Sequence, residues 1–271
     1  MTESYDFFIV NAFSSHPQMG NPAGVVMLPE FLSDEALQAI AFKHRLSETA
    51  FIVKREQGYV IRWFSMLKEM DICGHATLAA AFVIHHMSGA DTLSEIVFEG
   101  KKVKLLVEIL EDTYTIAFDQ QDITSVPVTD NMQQAIGCKV TEAFVTHDRQ
   151  HLVLIVASQE AVENLQVRMS LIKGLAPHGV TVTTKGDAPG VDYVLRYFSP
   201  NTGNLEDPVT ATAQARIAPL WFDRTGGQTT FLSQQLSGRG GELLARYYPD
   251  SKQIKVSGKA CLTFQGRVSV E

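Results

Sequence analysis

Apolar residues fall in short runs along the chain, rich in Val, Ile, Phe and Tyr and bounded by Gly or Asp. They predict strands over 5–13, 24–28, 48–54, 59–64, 95–98, 103–110 and 114–118. Residues 33–44 predict a helix, with Ser33 placed to cap its first amides and Asp34 and Glu35 in the first turn, where the helix dipole favours negative charge. A second helix over 74–86 is apolar around nearly its whole circumference through Ala76, Leu78, Ala79, Ala80, Ala81, Phe82, Val83 and Ile84, a pattern suited to a domain centre. Residues 119–130 lose the periodicity, carry Pro127 and predict a linker. Beyond them the vocabulary restarts, with strands at 142–146 and 152–156, a helix at 169–176, strands at 179–184 and 191–198, and a helix beginning at Pro208.

The restart suggests an internal repeat. Arg62-Trp63-Phe64-Ser65 and Arg196-Tyr197-Phe198-Ser199 match 134 residues apart, and extending that offset without a gap sets Asp207 against Cys73. Both segments run strand, loop, helix. Two halves, 1–120 and 121–271, are expected, with the last strand free to cross back to the first half. Facing each other, they would bring two loop-to-helix turns to one cleft. Each turn offers unpaired amides at a helix N-terminus, which suit a carboxylate, so the expected ligand is a small organic acid.

Composition narrows the function classes. The 271 residues are 45% apolar and 20% charged, the profile of an ordinary globular chain. With 23 basic and 30 acidic residues the net charge is −7, which argues against nucleic acid and membrane surfaces as partners. Acids at Glu3 and Asp6 and the shortness of the apolar runs point to a cytoplasmic protein. The three cysteines, Cys73, Cys138 and Cys261, are widely spaced and form no C-x-x-C pair, so neither a disulfide framework nor a thiolate metal site is expected.

Three places carry candidate chemistry. Glu48, at the mouth of a strand, reads either as a solvated carboxylate or as a general base, the role an apolar setting gives a carboxyl group. In Asp71-Ile72-Cys73-Gly74-His75-Ala76-Thr77, Cys73 is either a small buried hydrophobe or a thiol at a helix N-terminus. There Gly74 allows a ligand close to the backbone, and His75 can donate to an anion or shuttle a proton. Asp207-Pro208 reads as an N-cap followed by Pro at the first helical position, or Asp207 is a second acid or base facing Glu48. Asn21, in Gly20-Asn21-Pro22-Ala23-Gly24, either binds a carboxylate or closes a turn. His147 with His151, and His85 with His86, do not make metal pairs, and Ser237-Gly238-Arg239-Gly240-Gly241 lacks the spacing of a dinucleotide loop.

Taken together, Gly20 to Val26, Leu46 to Phe51, Arg62 to Phe64, Asp71 to Ala79 and Glu206 to Thr210 resemble the PhzF-like phenazine-biosynthesis proteins, relatives of diaminopimelate epimerase in fold. The motifs occur in the family's order over nearly the whole chain. The resemblance implies an α/β (α+β) protein of two pseudo-symmetric domains, each a curled, mostly antiparallel sheet around a central helix. It implies an isomerase that shifts a proton on a small carboxylic acid without a cofactor or metal, with Glu48 as acid/base, His75 and Asp207 assisting, and a possible homodimer. Asn21, Cys73, Gly74, Ala76, Thr210, Ala211 and Thr212 would line the substrate. A thiol-assisted epimerase using Cys73 and a non-catalytic binding protein are the alternatives. Two departures stand out. Ala211-Thr212 replaces the usual Gly-Ser, with Gln214 where His is common, and Ser65-Met66 replaces Thr-Pro.

Overall fold

A computed structural model of the chain describes residues 3–88 and 93–269. The chain forms two compact units, residues 1–117 with 257–271, and residues 118–256. The first contains β1 (Ser4–Ala12), β2 (Asn21–Leu28), α1 (Asp34–His44), β3 (Glu48–Arg55), β4 (Gly58–Ser65), β5 (Glu69–Met70) and α2 (Gly74–Met87). It continues with β6 (Glu95–Glu99), β7 (Lys104–Leu110) and β8 (Thr113–Asp119). The second unit contains β9 (Ile123–Val126), α3 (Asp130–Ile136), β10 (Val140–Thr146), β11 (His151–Val156), α4 (Gln159–Glu163), α5 (Met169–Leu175), β12 (Gly179–Lys185) and β13 (Tyr193–Ser199). Then come β14 (Asn204–Asp207), α6 (Gln214–Arg224), β15 (Thr230–Gln235), β16 (Gly241–Tyr248) and β17 (Gln253–Gly258), after which β18 (Ala260–Ser269) pairs antiparallel with β1 of the first unit.

The two units repeat one topology. In the first, β1–β2 is antiparallel, β2–β3 parallel across α1, β3–β4 and β4–β5 antiparallel, and β4–β6 parallel. In the second, β10–β11, β11–β12, β12–β13, β13–β14 and β13–β15 repeat those senses in that order, with α4 and α5 making the first crossover. Parallel neighbours need such a crossover helix, which covers one face of each sheet. The other face takes the central helix. In the first unit α2 packs against β1, β2, β3, β7 and β18, and its residues from Gly74 through Ala81 are buried, as its all-round apolarity predicts.

Ser33 accepts from the Ala36 amide and starts α1 where expected. Two expectations fail. The linker at 119–130 holds β9, which pairs antiparallel with β10, and Thr129 caps α3 by accepting from Met132 N. Its short polar run is stabilised by edge pairing, which hydrophobic periodicity does not register. No helix begins at Pro208: Asp207 closes β14, a 3-10 turn covers Ala211–Ala213, and α6 starts at Gln214. The Asp207 carboxylate accepts from Asn204 Nδ2 at 3.1 Å and from Thr210 Oγ1 at 2.5 Å, so it organises a turn instead of capping a helix. Among the described residues no helix is long and apolar enough to cross a membrane.

Register also corrects the gap-free repeat. Tyr59 and Tyr193 occupy the same parallel-pair position, so the offset of 134 holds through β4 and β13. But Trp63 pairs with Met70 whereas Tyr197 pairs with Asp207, so the second hairpin is three residues longer. The counterpart of Cys73 is therefore Thr210, and that of Asp207 is Met70. Cys73 and Thr210 share an extended backbone at the head of their helical turns, with φ, ψ of −145°, 108° and −115°, 92°. In both units the arginine before the aromatic pair grips a glutamate with two bonds, Arg62 to Glu69 at 2.7 and 2.8 Å and Arg196 to Glu206 at 2.7 and 2.9 Å.

Candidate active site

Glu48 follows α1 through Arg45, whose positive φ ends the helix. It opens β3 between Ala23 of β2 and Ser65 of β4, and these neighbours leave it only 8% exposed. The solvated reading of Glu48 therefore does not hold. Across from it, Cys73 heads α2 with no side-chain cap, leaving the amides of Gly74, His75 and Ala76 at the helix start.

His75 Nε2 lies 3.2 Å from Glu48 Oε2, and Cys73 Sγ lies 3.5 Å from His75 Nδ1. All three side chains are buried. Burial pushes the Cys73 thiol up, and the charge of Glu48 adds to that, while His75 and the Ala76 amide pull the other way. For His75, burial disfavours the imidazolium, but Cys73 and Glu48 together outweigh it and hold the ring well above its ordinary value. The arrangement is an imidazole biased toward its protonated form, 3.2 Å from the Glu48 carboxyl group at a helix N-terminus and able to pass a proton. Each member offers a donor atom within 4.8 Å of the others, so this trio could also ligate a metal ion.

The raised His75 value has a thermodynamic consequence. A folded-state value above the unfolded one of about 6.5 gives stability that is complete at lower pH and is lost as pH rises through the folded value. The stability gap between the wild type and His75→Asn is therefore expected to be greatest near pH 6 and to narrow as pH rises, read from denaturation midpoints; a gap that widens with pH would contradict the pairing.

The turn is held from behind. Trp63 Nε1 donates to Thr77 Oγ1 at 3.0 Å, and Thr77 Oγ1 donates to the Cys73 carbonyl at 2.6 Å. Ser65 takes over a turn position too: its hydroxyl accepts from the Leu67 and Lys68 amides. Asn21, fully buried at the start of β2, lies two residues before Ala23, the strand partner of Glu48. Gly74 and Ala76 are buried in the first turn of α2.

The remaining candidates belong to the second unit. Asp207, Thr210 and Ala211 are buried and Thr212 is partly so. Gln235, which sequence reasoning missed, ties this turn together: its Oε1 accepts from the Thr210 amide at 2.8 Å and its Nε2 donates to the Asp207 carbonyl at 2.5 Å. It lies on β15, 25 residues from Thr210, and no local pattern announces it. Gln214 is fully buried and bonded to Tyr193 and Ser233, so this departure from the family pattern serves the interior of the unit.

Comparison with known proteins places the chain in a family. An uncharacterized isomerase of Pseudomonas aeruginosa is 35% identical over 263 residues, 97% of this chain and 98% of that protein. A phenazine biosynthesis PhzF-family protein of Enterococcus faecalis has a crystal structure that superposes with a TM-score of 0.90 at 35% identity, covering 98% and 99% of the two chains. A hydroxyproline epimerase of Agrobacterium vitis shares the fold, at a TM-score of 0.63 and 9% identity over 100% of this chain and 94% of that one. The phenazine biosynthesis-like family, PhzC-PhzF, matches residues 10–266, and the chain, an isomerase, belongs to that family.

Proposed function

We propose that the protein moves a proton between carbons of a small carboxylic acid, with Glu48 as the acid/base. The observation that carries this reading is the buried contact of Glu48 with His75 at the uncapped start of α2. In the forward step the Glu48 carboxylate takes a proton from a carbon next to the acid or its double bond. The electron pair left behind delocalises into the substrate, where the Gly74, His75 and Ala76 amides face the developing charge. Glu48, now protonated, returns the proton to a neighbouring carbon, so the substrate and product are isomers and no oxidant or second reactant is consumed. His75 holds Glu48 in place and balances its charge.

The test is incubation of the protein in deuterium oxide with a panel of small unsaturated, hydroxy and amino carboxylic acids, read by proton NMR. Deuterium entering a carbon of one acid supports the reading. An acid that binds and exchanges nowhere counts against it.

The Cys73–His75 contact favours one rival, a thiol-assisted epimerisation. Since the counterpart of Cys73 is Thr210, a two-thiol exchange lacks its second sulfur in the repeat. Cys73→Ala is expected to retain deuterium exchange; loss of exchange with binding intact would move the role from Glu48 to the thiol.

A further inference from the structure

Arg216 lies in the first turn of α6 and is 1% exposed. A guanidinium has five N–H donors and remains charged in proteins. Its Nη1 donates to Gln121 Oε1, but Nε and Nη2 have no acceptor among the described residues. The one carboxylate whose charge acts on it among the described residues, Asp148, is exposed and engaged elsewhere, accepting from Thr146 Oγ1 at 2.6 Å and from the Gln150 amide at 3.0 Å.

Among the described residues no carboxylate bonds to Arg216, and Asp148 acts on it only through its charge. Tyr197 Oη contacts His151 Nδ1 at 3.3 Å, and the His151 and His178 rings lie 5.0 Å apart. Burial, with Arg216 and His178 nearby, pushes His151 down to about 2, so it stays neutral. Gly179 makes room for this cluster, since a Cβ there would overlap the Tyr197 hydroxyl.

A second orphan points the same way. Thr181 is fully buried and its hydroxyl has no partner among the described residues. It sits opposite Tyr197 on β13 and opposite Val153 on β11, and so shares their sheet face. That face looks onto α6: Val153 clusters with Leu220, and Tyr193, two pleats from Tyr197, stacks on Trp221 at 5.5 Å.

A buried cation with two unused donors and no bonded carboxylate, under a sheet face that also carries an unused hydroxyl, is costly by itself. We propose that Arg216 and Thr181 form a binding site for one small monovalent anion, chloride or one of similar size, beneath α6. The single guanidinium charge sets the valence and the buried setting sets the size. The site would lock the start of α6 to the sheet, independently of the reaction proposed for Glu48.

The experiment is thermal unfolding of the whole protein at constant ionic strength, with chloride replacing gluconate, an anion too large for a buried site. The midpoint of the wild type is expected to climb by about 2–3 °C for each tenfold increase of chloride above its dissociation constant. Arg216→Met should lose that dependence, and Thr181→Val should need more chloride for the same rise. In bromide-grown crystals of the wild type, an anomalous peak is expected within hydrogen-bond reach of Arg216 Nε or Nη2. An unresponsive wild type, an equal response in Arg216→Met, or bromide crystals with no peak there would overturn the proposal. If Arg216→Met does not fold, Thr181→Val and the bromide peak decide it.

Discussion

Replacing Glu48 with Gln is expected to lower the rate of proton exchange by about 10²–10⁴-fold while leaving substrate binding nearly intact. The amide is close to isosteric with the carboxylate and can still accept a bond from His75, so β3 and the head of α2 keep their positions. What it lacks is basicity. The change therefore separates a base from a binding group, which truncation to Ala would not, because a cavity beside His75 would alter both. Glu48→Gln also removes one of the two groups, after Cys73, that raise the His75 value. Its stability is expected to vary less with pH than that of the wild type as pH rises above about 6.5. Deuterium exchange followed by mass spectrometry, with binding measured by calorimetry, tests the kinetic claim. Undiminished exchange in the variant would remove Glu48 from the mechanism.

The second large effect concerns Trp63. It is 1% exposed, its ring presses on Gly100, where a Cβ would come within 2.8 Å of the indole, and its Nε1 ends in the Thr77–Cys73 chain that fixes the turn. Trp63→Ala is expected to cost about 3–5 kcal/mol, from lost apolar burial and the cavity left behind. Trp63→Phe keeps most of the packing but removes the donor to Thr77 Oγ1, and is expected to cost about 1–3 kcal/mol. The two together divide packing from hydrogen bonding. Urea denaturation gives both values. Since Thr77 still donates to the Cys73 carbonyl in Trp63→Phe, exchange chemistry should persist in it, with a looser substrate fit seen as a higher KM. A Phe variant as unstable as the Ala variant would assign the whole effect to the hydrogen bond.

Features governed by near neighbours in the chain were legible before any coordinates. Ser33 followed by two acids specifies the start of α1, because capping involves residues three apart. The continuous apolar run from Leu78 to Ile84 specifies a helix enclosed on all sides, because no face of it could meet water without cost. The Arg-aromatic-Phe-Ser repeat shows a duplicated topology, and the motifs around Glu48, Cys73 and Thr210 identify the family.

Other features depend on residues far apart, and local pattern was silent or misleading about them. Asp207-Pro208 has the form of a helix cap, yet Gln235, brought in by β15, makes it the corner of a turn. The three extra residues in the second hairpin are visible only in strand register, which moves the counterpart of Cys73 from Asp207 to Thr210. Whether Glu48 is solvated or buried depends on β2 and β4 lying on either side of it, and its contact with His75 joins positions 27 residues apart. The spacing of the cysteines says nothing of the neighbour of Cys73, which folding makes His75. By itself the sequence determined α1, α2 and α5, many of the strands, the existence of a repeat and the kinship, since these follow from side-chain periodicity and short-range backbone chemistry. The tertiary structure decided which carboxylates are buried and what each one touches, because burial and charge pairing are set by chain segments that only folding brings together.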